Sequence, residues 1–124
     1  MNEIKHPVCR IRSLYLCVLD MNRAIDFYEA FLEQPVAVRD TIYSVFDLSG
    51  FRLGLFAFEK MGEIHTFGSN CLPSFEVDGK ERMEQKLSSL TVLFPVTKIG
   101  TNWVCEFKDS EGNAIEMTAP IISD

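Results

Sequence analysis

A chain of 124 residues with 47% hydrophobic and 11% aromatic content has room for one packed core and is too apolar to remain disordered. Its formal net charge of −6, with the acidic residues scattered rather than blocked, argues against nucleic acid or an anionic membrane surface as a partner. No apolar run approaches the roughly 20 residues that span a bilayer, Met1-Asn2-Glu3 does not open a signal peptide, and Cys9, Cys17, Cys71 and Cys105 form no CxxC pair, so the expectation is a cytoplasmic protein, one domain over residues 1–124, with reduced cysteines.

Arg10 to Leu19 alternates Leu14, Leu16 and Val18 with Ser13, Tyr15 and Cys17, which predicts a strand with one core face and one mixed polar and aromatic face. Asp20 or Asn22 then caps a helix to about Leu32. Its Ala24, Ile25, Phe27, Tyr28, Phe31 and Leu32 recur at helical spacing until Pro35 ends the pattern. Val36 to Arg39, Tyr43 to Leu48 and Phe51 to Phe58 read as three strands, making a βαβββ module over about residues 10–58. A connector of about residues 59–70, with Gly62 and Gly68, follows. Leu72 to Val77 opens a second module of about residues 71–119. Asp78 is expected to cap its helix, with Glu81 completing a capping box, and Met83, Leu87 and Leu90 form the apolar stripe. Val92 to Val96, Thr101 to Phe107 and Asn113 to Ala119 supply three more strands.

The second module repeats the first. One shift lays Ser13 on Leu72, Leu16 on Phe75, Val18 on Val77 and Tyr28 on Leu87, so strand and helix faces match together. A closely similar shift brings the turn residues Asp47 and Gly50 onto Asp109 and Gly112.

Paired βαβββ modules, an opening Leu16-x-Val18-x-Asp20 followed by a helix with Phe27-Tyr28, and a closing Phe107-Lys108-Asp109-Ser110-Glu111-Gly112-Asn113-Ala114-Ile115-Glu116 resemble the vicinal oxygen chelate superfamily. That superfamily includes glyoxalase I, extradiol dioxygenases, fosfomycin resistance enzymes and bleomycin resistance proteins. The resemblance covers roughly residues 10–119, with Ser110 in place of the usual Pro. It implies an α+β fold whose modules curl into a half-open eight-stranded barrel, with the site on the concave face and, in many small members, a homodimer. It does not imply one reaction.

Metal-dependent members of the superfamily place ligands at four symmetric positions, which map here to Ser13, Gly54, Leu72 and Glu116. A catalytic divalent metal takes about three N or O donors and keeps one position open. Gly54 and Leu72 offer no donor and the neutral Ser13 hydroxyl is a poor one, so the reading is no ordinary metal site and no cofactor. The only two histidines, His6 and His65, fall in expected termini or loops, and one would have to swing in to rebuild such a site.

The concave parity leaves Ser13, Tyr15, Cys17, Arg52, Phe56, Ser74, Glu76 and Glu116 as candidate ligand-binding residues, a mixture of aromatic surface and few polar groups that suits a small-molecule pocket. Glu116 stands between Ile115 and Met117, which serve the core, so its carboxylate faces water, a partner or a ligand. Arg52 either meets a ligand or neutralises Glu116 or Glu76. Cys17 is either a small buried hydrophobe or a thiolate. Trp103, in register with Cys105 and Phe107, is a further candidate, as pocket wall or as core or dimer interface. Two functions from different classes follow. One is a metal-independent homodimer that binds an amphipathic or cationic small molecule, as bleomycin resistance proteins do. The other is a glyoxalase- or dioxygenase-type enzyme with Glu116 as catalytic base or metal ligand. A regulatory or interaction module is the third.

Overall fold

A computed structural model describes residues 11–64 and 71–122 of the chain. Cys9, His6 and His65 lie outside the described residues. The element order is β1 (Ser13–Cys17), α1 (Met21–Leu32), β2 (Tyr43–Leu48), β3 (Phe51–Phe56), a 3-10 turn (Phe58–Met61), β4 (Ser74–Glu76), α2 (Lys80–Leu87), β5 (Thr91–Ile99), β6 (Asn102–Lys108) and β7 (Ala114–Pro120). Two sheets result, ordered β1-β3-β2 and β4-β7-β6-β5. In each, the opening strand runs parallel to the closing one, β1 with β3 and β4 with β7, and the remaining pairs are antiparallel. The plan follows the paired modules of the sequence reading, βαββ and then βαβββ, and within one chain the two sheets do not close into a barrel.

Val36 to Arg39 does not form the eighth strand. It contributes a single bridge, Val38 to Val45. The N–H groups of Ala37 and Val38 both donate to the Val45 carbonyl, at 2.8 and 3.0 Å. Two donors on one acceptor is a β-bulge, which bends the segment away and ends the ladder.

Asp20 caps α1 as expected, its carboxylate accepting the Arg23 N–H at 3.0 Å. Asp78 does not cap α2. The N-cap is Gly79, with no side-chain cap bond, and Asp78 accepts instead from Arg82 Nε at 3.1 Å. Starting one residue later puts Arg82 rather than Glu81 at the third helical position, so a capping box cannot form. Glu81 still sits in the first turn, where a negative charge suits the helix dipole.

The core lies between the sheets and is organised by α1. Ala24, Ile25 and Tyr28 are fully buried, as are Phe46, Leu53 and Leu55 of the first sheet and Cys105, Phe107, Ile115 and Met117 of the second. Tyr28 packs on Phe46 of β2 (ring centroids 6.3 Å apart), while Phe31, one turn on, packs on Phe75 of β4 (5.5 Å) and Phe107 of β6 (5.1 Å). Each fully buried aromatic or large aliphatic side chain contributes roughly 1.5–3 kcal/mol. Because α1 serves both sheets, neither module has a core of its own. No helix among the described residues is long and apolar enough to cross a membrane.

The two repeat-related turns share one device. Asp47 accepts the Gly50 N–H at 2.7 Å, and Asp109 accepts those of Glu111 and Asn113, both at 2.8 Å. Gly50 and Gly112 hold φ values of +94° and +90°, which L side chains rarely adopt. The second turn is also tied to α1. Tyr28 donates to Asp109 Oδ2 at 2.6 Å, Asn113 Nδ2 donates to the Cys17 carbonyl at 3.0 Å, and Glu111 receives the N–H groups of Leu19 and Asp20 at 2.8 and 3.0 Å.

Candidate functional site

With α1 clasped between the sheets, the other face of each sheet turns away from it. On the first sheet that face carries three cross-strand rows: Ser13, Arg52 and Asp47; Tyr15, Gly54 and Val45; Cys17, Phe56 and Tyr43. Tyr43 and Phe56 stack at 4.7 Å with only 4° between their planes, and Tyr15 meets Tyr43 edge-on at 5.9 Å. Tyr15 and Tyr43 each remain 43% exposed. Local hydrogen bonds set the start of β2 and with it Tyr43. Asp40 accepts the N–H groups of Ile42 and Tyr43 at 2.9 and 3.0 Å, which also holds its pKa below the usual carboxylate range. The buried Ser44 hydroxyl donates back to the Asp40 carbonyl at 2.8 Å.

Tyr15 leans across Gly54. A Cβ built on Gly54 would lie 2.2 Å from Cδ2 and 2.3 Å from Cε2 of that ring, inside any real contact. Gly54→Ala is therefore expected to lower stability by about 1–3 kcal/mol, as overpacking does, and to cost almost nothing in a Tyr15→Ala background. A four-member denaturation cycle checks this; equal losses in both backgrounds would separate the two residues.

On the second sheet the outward rows are Ser74, Glu116, Glu106 and Phe94, and then Glu76, Thr118, Val104 and Thr97. Ser74 Oγ donates to Glu116 Oε1 at 2.6 Å. Glu106 stands directly opposite Glu116 across the antiparallel ladder. Like charges in that position destabilise a sheet, and among the described residues neither carboxylate, nor Glu76, has an ion-pair partner. Glu106 did not emerge from sequence because the register through the Asp109 to Gly112 turn was needed to put it beside Glu116.

The remaining candidates divide clearly. Trp103 shares the opposite face with Cys105 and Phe107; it is partly buried against the core, with Lys80 Nζ 4.1 Å above its ring. It is therefore apart from the other candidates. Burial and then the nearby charge of Glu63 raise the Cys17 thiol pKa, which disfavours a thiolate nucleophile. Cys105 is pushed up to about 11, chiefly by burial, with Glu116 and Glu106 adding to the effect. Arg52 makes no ion pair with Glu116 or Glu76 among the described residues. The four positions mapped by resemblance to metal-dependent superfamily members do not fit a metal. Two lack donor atoms, and the Tyr15 ring fills the volume into which a side chain from residue 54 would project. Among the described residues no three His, Cys, Asp or Glu side chains are grouped as a metal needs.

No protein-family model matches the sequence, and no curated protein is significantly similar to it. Solved structures do match in fold. A glyoxalase-related enzyme from Fulvimarina pelagi aligns at 16% identity and a TM-score of 0.73, covering 89% of this chain and 87% of its own. A glyoxalase/bleomycin resistance protein/dioxygenase family enzyme from Burkholderia phytofirmans PsJN aligns at 16% identity and 0.73, covering 90% and 98%. Lactoylglutathione lyase from Agrobacterium tumefaciens aligns at 16% identity and 0.70, covering 93% and 96%. The chain has the fold of these proteins, and at such identities the likeness speaks for the fold alone.

Proposed function

We propose that this chain is a small-molecule-binding protein of the cytoplasm, built on the glyoxalase/bleomycin-resistance-like fold, which holds an amphipathic cation in a cleft between two copies of itself without a metal. The observation that carries the reading is the Glu106–Glu116 pair, two carboxylates opposed on an outward face with no ion-pair partner among the described residues. Such a pair costs stability when empty and favours a cationic guest. Support for two copies comes from geometry and charge. The aromatic face lies on the first sheet and the acidic face on the second, and the ligand would bridge one of each from two copies. The aromatic face also carries Arg52, opposite in sign to Glu76, Glu106 and Glu116, with Asp47 beside it in the same cross-strand row. Binding needs no electrophile and no open metal position, in keeping with the poor fit of Ser13, Gly54, Leu72 and Glu116 to a metal.

Native mass spectrometry on protein purified without chelator or affinity tag is expected to show a dimer without stoichiometric metal. A monomer at micromolar concentration, or one transition metal per chain, would overturn the reading. Glu116→Gln should weaken binding of the cationic probe tryptamine at least tenfold, about 1.4 kcal/mol, with the circular dichroism spectrum unchanged. Undiminished affinity would remove Glu116 from the site.

A further inference from the structure

The first sheet bears a feature that a general cation site does not require. Its outward face gathers three aromatic rings in one corner, and two of them stay 43% exposed although residues of that size usually find burial. The rings are not loosely placed. Gly54 leaves the room that the Tyr15 ring occupies, Tyr43 supports Tyr15 edge-on, Phe56 stacks beneath Tyr43, and Asp40 with Ser44 fixes the backbone from which Tyr43 projects. A glycine beside a cross-strand aromatic also lets the ring lie close to the neighbouring backbone, covering one flank and leaving the rest open. Four separate local choices therefore converge on one preorganised aromatic surface, and preorganised surfaces lose little entropy on binding.

The same contact explains the disagreement with metal-dependent relatives. Residue 54 has no side chain, and the space above it is taken by Tyr15, so the site has exchanged a metal-ligand position for an aromatic one. We propose that Tyr15, Tyr43 and Phe56 form a platform for a planar aromatic group of the ligand, with Tyr15 as the specificity-determining residue. This rests on the small-molecule reading above and narrows it: the guest is an aromatic amine, its ring on the first sheet of one copy and its charge toward Glu106 and Glu116 of the other. An aromatic ring gains both apolar contact and favourable ring-edge and ring-face geometry there, whereas an aliphatic amine of equal charge gains only the first.

The test uses three probes titrated into the whole protein and followed by NMR: tryptamine, tryptophol with the same ring and no charge, and 2-cyclohexylethylamine with the charge and no aromatic ring. Tyr15→Leu keeps apolar cover over Gly54 while removing the ring, and Tyr43→Leu gives an independent reading should the first variant fold poorly. Tryptamine is expected to bind tightest, and both indoles should lose at least tenfold in either variant while 2-cyclohexylethylamine hardly changes. Equal binding of tryptamine and 2-cyclohexylethylamine, or tryptamine affinity untouched in both variants, would overturn the platform and leave the cation reading standing. Tryptophol binding as tightly as tryptamine, still dependent on Tyr15, would support the platform and overturn the cation reading. If no probe binds at millimolar concentration, both fall.

Discussion

Asp109→Ala is expected to destabilise the protein by about 3–5 kcal/mol. The carboxylate accepts four hydrogen bonds in a buried turn: from Tyr28 Oη at 2.6 Å, the Glu111 and Asn113 N–H groups at 2.8 Å, and Asn113 Nδ2 at 3.1 Å. Removing it leaves the Tyr28 hydroxyl without an acceptor in a fully buried position, and an unpaired buried donor costs about 1–3 kcal/mol by itself. The turn amides lose their anchor at the same time. Against a total of about 5–15 kcal/mol for an ordinary domain, the variant should approach the threshold of folding. Urea denaturation followed by circular dichroism gives the value. Tyr28→Phe is the control, since it removes one donor and leaves the turn bonds; its loss should be about 1–2 kcal/mol. Equal losses in the two variants would show that the turn bonds contribute nothing.

A second large effect is tied to pH through Glu111. Burial pulls its pKa upward more than any other single influence, but hydrogen bonds from Arg23, the Asp20 and Leu19 amides and Ser110 together outweigh it and bring the value to about 2. Arg23 Nε lies 2.8 Å from Oε2. Since the folded value is below the ordinary one of about 4.3, the stabilisation is fully present above about pH 5 and is lost as pH falls toward 2, a change of about 3 kcal/mol. Glu111→Gln should therefore be less stable at neutral pH, and its deficit relative to wild type should shrink steadily below pH 5. Other carboxylates titrate there too, Glu33 and Asp40 among them, both lowered by hydrogen bonds, so the quantity to follow is the difference between the two proteins. A deficit independent of pH would mean that the carboxylate charge is not what holds this junction.

Much of this architecture was legible before any coordinates. Local signals carried it: Asp20 before an apolar helical stripe, alternation in β1 and β7, and two turns with Asp and Gly at matching places. Each depends on residues a few positions apart. What failed depended on alternatives that lie close in energy. Val36 to Arg39 has strand-like composition, but a single bulge ends its pairing. Asp78 and Gly79 can both precede α2, and the ion pair with Arg82 takes the carboxylate away from the cap. The site was harder still. Parity along the strands placed Tyr15, Arg52, Phe56, Ser74, Glu76 and Glu116 together on one concave face, yet parity cannot say how two sheets face each other. That is decided by α1, whose Tyr28 and Phe31 serve different sheets. Tyr43 and Glu106 were missed for the same reason, being partners across a ladder rather than along a strand.

The hold of the last turn on the first helix also orders events during synthesis. The amides of Leu19 and Asp20 find their acceptor in Glu111, 92 and 91 residues further along the chain. Until that hairpin has left the ribosome, the amino-terminal half presents an unfinished helix start and the apolar flank of α1 that will meet Phe75 and Phe107. Contacts so distant in sequence form late and slowly, and a half-made chain with an open apolar flank is a substrate for chaperones and proteases. The nascent protein thus passes from exposed to complete once the Asp109 to Asn113 turn has been made, and truncation just before Asp109 would leave a polypeptide that cannot mature.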